Sequence, residues 1–302
     1  MLNLTRLRVF QRVASLGSFS AAALALDYTQ STVSEQVGRL EDELGLTLLE
    51  RATRPVRPTE AGRVLLRHAE LILGQEAAAR TELAALAGAA AGALRVGAFY
   101  SAWTSFMPRA IAAFATAHPG VRIEVRQSEP ELSLRLLRSG ELDLSVVYQL
   151  DPNRTQQEPQ LKRARLLHDD YVMVLPAAHP LARRRALALA NLAQERWVAP
   201  SATGPSSGFR RMLEQHCHRA GFEPDVAFEL EDIGVGEPLV AAGHCIALMP
   251  ALFVTRPHPQ VAIRPLRDGP PGREIVAAWI PARRVAAIEP MVNALQLATR
   301  HP

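Results

Sequence analysis

Gly17-Ser18-Phe19-Ser20-Ala21-Ala22-Ala23-Leu24-Ala25-Leu26, followed by Asp27-Tyr28-Thr29-Gln30-Ser31-Thr32-Val33-Ser34-Glu35-Gln36-Val37, is the stretch that decides the fold. Two helices that cross closely need small residues at the crossing, and Ala22 and Ala23 supply them. They also need apolar anchors, which Phe19, Leu26, Val33 and Val37 provide. Ser18 suits the N-cap of a helix over about 19–26, and Thr29 that of a second over about 30–44, because a hydroxyl there accepts an otherwise unpaired backbone N–H. Val33, Val37, Leu40 and Leu44 line one apolar stripe, and Gly45 ends it. The outward edge of the second helix is polar and short: Thr29, Gln30, Ser31, Thr32 and Ser34, with Gln36 and Arg39 further along. Glutamine pairs with adenine through two hydrogen bonds, and serine and threonine serve bases or phosphates. The free N–H groups at the helix start favour a phosphate. The spacing predicts a helix-turn-helix with its second helix as the DNA reader.

Outward from this core, Leu4, Leu7, Phe10, Val13 and Ala14 recur at helical spacing and predict a preceding helix that Gly17 stops. Residues 47–59 carry two prolines and three arginines and suit a short two-stranded wing. Arg51, Arg54 and Arg57 fall between Glu50 and Glu60 with no acidic residue among them, placed to grip the phosphate backbone. Thr59 and Glu60 open a long helix to about 87, in which Leu65, Ile72, Ala79 and Leu86 lie seven apart, with Ala69 and Leu83 on the same side. That stripe is a seam for packing against another helix. Gly88–Gly92 reads as a small-residue linker. From Leu94 onward strands alternate with helices, which predicts βαβ units, a mostly parallel sheet and two similar α/β units.

Composition sets outer bounds. A chain of 302 residues with 48% hydrophobic and 21% charged residues has room for two or three globular domains. Its net charge is +4, nearly all the positive charge is arginine, and Lys162 is the only lysine. Acidic residues match the arginines over residues 1–60, so a DNA-facing surface must be a local patch. Two cysteines, Cys217 and Cys245, are too few for a disulfide scaffold and suit a reducing cytoplasm. Met1-Leu2-Asn3-Leu4-Thr5-Arg6 lacks the long apolar run of a signal peptide, so none is expected, and no apolar run is long enough to predict a membrane span. There is neither a glycine-rich phosphate loop nor a Gly-x-Ser-x-Gly elbow, so no catalytic residue is assigned and no enzyme is expected. His216-Cys217-His218 sits on a predicted helix where neighbouring side chains diverge, so no metal site and no cofactor are expected.

The chain resembles the LysR-type transcriptional regulators. The resemblance runs through Leu7-Arg8-Val9-Phe10, Gly17–Ala23, Gln30–Ser34, Arg39–Gly45, Leu49-Glu50-Arg51 and Pro58–Gly62. It continues in Pro119-Gly120-Val121, Gly140–Leu144, His179-Pro180-Leu181 and Val240–Pro250, so it covers essentially the whole chain. It implies a winged helix-turn-helix DNA-binding domain over residues 1–60 and a linker, or dimerisation, helix and hinge over 61–92. An effector-binding α/β domain over 93–302 would follow, two-lobed like the periplasmic solute-binding proteins, with lobe 1 at about 93–163 and 268–302 and lobe 2 at about 164–267. The effector would lie between the lobes. Lobe 1 would offer Tyr100, Ser101, Trp103, Ser128 and Tyr148; lobe 2 would offer Ser201, Ala202, Thr203, Phe209, Ile233, Gly234 and Val235. Hydroxyls and N–H groups there suit a carboxylate and the aromatics an apolar body, so a small organic or aromatic acid is the expected effector. The implied partners are an imperfect palindrome of double-stranded DNA, the effector, and further copies of the chain as a homodimer and homotetramer, in the cytoplasm at the bacterial nucleoid. A cysteine-based redox sensor on the same fold is the alternative. Glu35, Gly38 and Tyr28 depart from the family's pattern, which bears on the DNA sequence preferred.

Overall fold

The computed structural model describes residues 2–51, 55–86, 93–149, 160–203, 207–231, 233–255, 257–283 and 285–300. The N-terminal domain consists of α1 (Leu4–Leu16), α2 (Phe19–Leu26), α3 (Gln30–Leu44), the antiparallel pair β1 (Leu49–Glu50) and β2 (Arg57–Pro58), and the long α4 (Glu60–Leu86). The expected caps form: the side chains of Ser18 and Thr29 accept the N–H groups of Ala21 and Thr32, and Gly17 and Gly45 end their helices in the left-handed conformation. Asp27 makes the same left-handed turn between α2 and α3. Leu7, Phe10, Ala22, Val33, Val37 and Leu40 are fully buried in one core, which the start of α4 completes through Ala69 and Leu73. The apolar stripe of α4 therefore divides. Leu65 and Ala69 face their own domain, whereas Ile72, Ala79 and Leu83 are exposed. Of the expected seam, the side chain of Leu86 and the linker 87–92 lie outside the described residues.

The first lobe is built on β3 (Leu94–Ala98), α5 (Tyr100–Thr104), α6 (Met107–Ala117), β4 (Ile123–Gln127), α7 (Pro130–Ser139) and β5 (Leu144–Gln149). β6 (Lys162–Asp169) then runs the length of this sheet's edge before the chain enters the second lobe at β7 (Tyr171–Pro176). The second lobe continues with β8 (Arg196–Pro200), α8 (Ser207–Arg219), β9 (Asp225–Leu230), α9 (Gly236–Ala241), β10 (Ala247–Pro250) and β11 (Val261–Pro265). The chain returns through β12 (Arg273–Trp279) and ends in α10 (Ile288–Arg300).

Two expectations are corrected here. β6 pairs with β12 from Lys162 to Asp169, so the crossing lies at Asp169–Asp170 and not at 163/164. The sheets are also not mostly parallel: the five-stranded sheet is mixed and the three-stranded one is antiparallel. In the order β4-β3-β5-β12-β6, β12 runs antiparallel to both neighbours, and β7 is antiparallel to β10 and β11. The physical reason is the crossing itself: a strand that returns from the other lobe enters the sheet from the opposite end to one that follows a helical crossover.

The N-terminal domain rests on the first lobe, where α4 packs along α7. Beside that contact Arg12 donates to Glu141 at 2.7 Å, and Arg126 approaches the same carboxylate at 3.7 Å.

Candidate functional site

The start of α3 presents Thr29, Gln30 and Ser31 to solvent. The Thr29 hydroxyl lies 2.8 Å from those of both Ser31 and Thr32, so the cap is held by its neighbours. Ser20 on α2 donates to Gln30 Oε1 at 2.9 Å. That bond orients the amide, whose N–H donors and second oxygen lone pair remain on the exposed side of α3. Thr32, Ser34 and Gln36 are half-buried on the flank of α3. Arg39 is exposed and donates to Glu35 at 2.5 Å. A residue that departs from the family's pattern therefore holds a cation on this face.

The wing arginines divide. Arg51 donates to Glu41 at 2.7 Å and lies over the Phe19 ring, 5.5 Å from its centroid, so it ties the wing to α3 and α2. Arg57 is exposed on β2. Arg54 lies outside the described residues. The Thr59 hydroxyl donates to Thr47 O at 2.7 Å and accepts from Gly62 N–H, which makes it the cap of α4 and occupies it internally.

Between the lobes lies a cavity of about 290 Å³ at the C-terminal ends of β3 and β4. Five sequence-expected residues line it: Tyr100, Ser101, Tyr148, Phe209 and Ile233. The others do not. Trp103 donates from Nε1 to Ala98 O and packs on the first lobe's core. Ser128 is buried against Ser133, 2.6 Å between hydroxyls. Ser201 donates to Glu229, Ala202 and Thr203 are exposed, and Gly234 and Val235 stay outside the lining. For two of these, near neighbours take the place: Gln127 and Glu129 flank Ser128, and Pro200 precedes Ser201. Successive strand residues alternate faces, so placing a residue on the correct strand but one position out inverts its exposure.

Arg273 lines the cavity and carries no signal in the sequence that would place it there. It is 4% exposed. Nε donates to Asp169 Oδ2 at 2.8 Å, and Nη2 lies 2.8 Å from that oxygen and donates to Ser101 Oγ at 2.7 Å. Its guanidinium carbon lies 4.6 Å from the Tyr148 ring centroid and 4.9 Å from that of Phe99. Asp169 is 2% exposed and also accepts the Leu252 N–H. Burial raises its carboxyl above the ordinary range, and Arg273 opposes that rise. Arg273 and Asp169 stand where β12 and β6 cross between the lobes, so the pair joins both crossings at the floor of the cavity.

Both cysteines are buried, in different core clusters of the second lobe. Burial pushes the Cys217 thiol up to about 12, helped by the Glu214 charge, and that of Cys245 up to about 11 against the pull of Arg196. The thiolate is the reactive form. In the folded protein neither thiol is expected to react with Ellman's reagent or peroxide until the chain unfolds. A thiol titrating rapidly under native conditions would return the cysteine-sensor reading. Among the described residues no group of His, Cys, Asp and Glu has the arrangement to hold a metal ion, and no helix is long and apolar enough to cross a membrane.

Two family models match the chain: the bacterial regulatory helix-turn-helix protein, lysR family, over residues 4–63, and the LysR substrate binding domain over residues 87–299. Over 297 residues the chain is 30% identical to the probable HTH-type transcriptional regulator LrrA of Synechococcus elongatus, covering 98% of this chain and 93% of that one. Full-length OxyR of Pseudomonas aeruginosa superposes with a TM-score of 0.67 at 24% identity, covering 99% of this chain and 97% of that one. CbnR in complex with its target DNA superposes with a TM-score of 0.59 at 21% identity, covering 98% and 100%. At these identities the two structures speak for the fold.

Proposed function

The chain belongs to the LysR family of transcriptional regulators, and on that premise we propose that α3 and the wing read a duplex while a small molecule between the lobes controls the binding. A LysR-type regulator is not an enzyme. The observation that carries the DNA assignment is the outward Thr29-Gln30-Ser31 edge of α3, together with exposed Arg57 on the wing. CbnR, of the same fold, has been solved with its target DNA. Gln30 reads a base and Arg57 a phosphate. Arg39 joins them after exchanging Glu35 for a phosphate, and Arg54 belongs to the same wing.

Titration of labelled duplexes over a range of salt tests this. Gln30→Ala is expected to lower discrimination between the target and random DNA by about 1–3 kcal/mol. Arg57→Ala is expected to weaken binding to every sequence and reduce the salt slope by about one. Equal losses on target and random DNA in the Gln30 variant would remove it from the reading edge.

The exposed Ile72 and Leu83 of α4 support a dimer joined through that helix, which sets two copies of α3 on an imperfect palindrome. We extend this to a tetramer acting at the nucleoid in the cytoplasm. The effector acts by preferring one placement of the lobes, and the α4–α7 contact with the Arg12–Glu141 pair gives that preference a mechanical route to the DNA-binding domain. The aromatic part of the expected effector keeps its support in Tyr100, Tyr148 and Phe209. Its acid group loses support, because Ser201, Thr203 and the Gly234-Val235 amides lie away from the lining and Arg273 is committed to Asp169.

A further inference from the structure

We infer that the C-terminal domain carries a second small-molecule site, which takes a carboxylic acid on a compact apolar body. A cavity of about 440 Å³ lies where the start of α6 meets β6, the end of α10 and the turn that follows β10. It is larger than the cavity between the lobes, at about 290 Å³, and no described lining residue is common to the two. Pockets that hold small molecules run from roughly 300 to 1,000 Å³. This site is independent of the effector assignment above.

Arg109, in the first turn of α6, decides the charge of the occupant. It alone is charged among the described lining residues. Its Nη2 donates to Ala298 O at 3.0 Å, a neutral carbonyl near the end of α10. No carboxylate among the described residues pairs with it. A guanidinium fork without an acidic partner matches a carboxylate in charge and in shape. Ser105 and Thr299 do not compete for that group. Ser105 Oγ donates to Ser101 O at 2.5 Å, and Thr299 Oγ1 to Gln296 O at 3.0 Å. Each hydroxyl has one proton, so both offer an occupant lone pairs only. They repel a carboxylate and accept from a hydroxyl, which directs the acid group to Arg109.

Apolar side chains supply the second requirement. Phe106 and Leu252 are buried and wall the cavity together with Leu167 of β6. Removing an apolar body from water against them adds affinity whatever its charge. Leu252 and Thr255 come from the second lobe's chain, and Leu252 is inserted into the first lobe's core, where its N–H bonds Asp169 at the crossing. An occupant therefore touches segments of both lobes, and it shifts their placement by as much as it fits one placement better than another.

Phenylpropionate, phenylpropanol and phenylpropylamine share one body and differ in charge, and calorimetric titration into the full chain at neutral pH compares them. The acid is expected to bind about tenfold more tightly than the alcohol, and the amine more weakly than either. Arg109→Gln is expected to weaken the acid about tenfold and leave the alcohol unchanged. Arg109 is exposed, so this variant removes the charge without disturbing a core. Thr255 is exposed at the same cavity, and Thr255→Trp, which fills the space, is expected to weaken acid and alcohol alike. Phe209→Ala, in the cavity between the lobes, is expected to leave the Arg109-dependent binding unchanged. An acid indifferent to Arg109→Gln overturns the second site; if it weakens in Phe209→Ala instead, it binds between the lobes and the effector reading stands. A loss in Arg109→Gln with none in Thr255→Trp marks an ion pair on the surface and overturns the cavity. An acid that binds no more tightly than the alcohol, or does not bind, overturns the assignment to a carboxylic acid.

Discussion

Replacing Arg273 with alanine is expected to destabilise the C-terminal domain by about 3–5 kcal/mol, because it strands a buried carboxylate. For a domain of this size that lowers the melting temperature by roughly 10 °C. Asp169 would keep the Leu252 N–H but lose its countercharge and two donors, at 2% exposure. The loss carries a pH signature. Burial already raises the Asp169 carboxyl, and Arg273 opposes that rise. Without the arginine the folded-state pKa climbs further above its unfolded value. A carboxyl raised on folding binds more protons in the native state, so stability falls as pH rises through the folded pKa and recovers in acid. The variant should therefore lie furthest below wild type at neutral and alkaline pH and approach it under mildly acidic conditions. Adding Asp169→Leu to Arg273→Met should restore most of the stability, since a buried pair removed together leaves no charge behind. Thermal melts across pH on the two single variants and the double variant decide this. A pH-independent deficit in Arg273→Ala would mean that lost packing, and not the stranded charge, sets the cost.

Gly62→Ala is the second large effect, and it acts on the other domain. A Cβ at this position would lie 2.0 Å from the Leu48 carbonyl oxygen and 3.1 Å from its carbon, with the Pro58 Cβ at 3.2 Å. The obstacle is backbone, so no rotamer change relieves it. The start of α4 must move away from the wing, which breaks the Thr59 N–H to Leu48 O bond at 2.9 Å and strains the Thr59 cap on Thr47. Overpacking of this kind costs about 1–3 kcal/mol, and more where the neighbour cannot yield. The expected result is lost affinity for all DNA with an unchanged melting transition of the C-terminal domain. Gly38→Ala is the matched control. Nothing lies within 4 Å of a Cβ there, so removing a mid-helix glycine should stabilise α3 by about 0.5–1 kcal/mol. If Gly62→Ala and Gly38→Ala melted alike, the close approach of α4 to the wing would be wrong.

The two domains differed in how much of them could be read from the chain. In the first sixty residues each device is local. Ser18 and Thr29 cap, Gly17 and Gly45 terminate, and Val33, Val37 and Leu40 repeat at helical spacing, and all behave as expected. What escaped there was pairwise: Arg51 turning back to Glu41, and Thr59 spent on Thr47. In the C-terminal domain the alternation of strands and helices was legible, but not every strand and not which sheet each joins. β6 and β11 carried no signal of their own, and only the pairing of β6 with β12 assigns it to the first lobe.

The sequence by itself determined the helix-turn-helix, the outward polar edge of its second helix, the family and the presence of two α/β lobes, because periodicity and capping act over three or four neighbouring residues and are written in order along the chain. Tertiary structure alone decided the charge and walls of the cavity. Arg273 and Asp169 stand 104 residues apart, and Arg273 and Ser101 stand 172 apart. No local pattern brings such residues together. They meet because two strands cross between the lobes at one point, and a charge buried there holds only where its partner arrives with it.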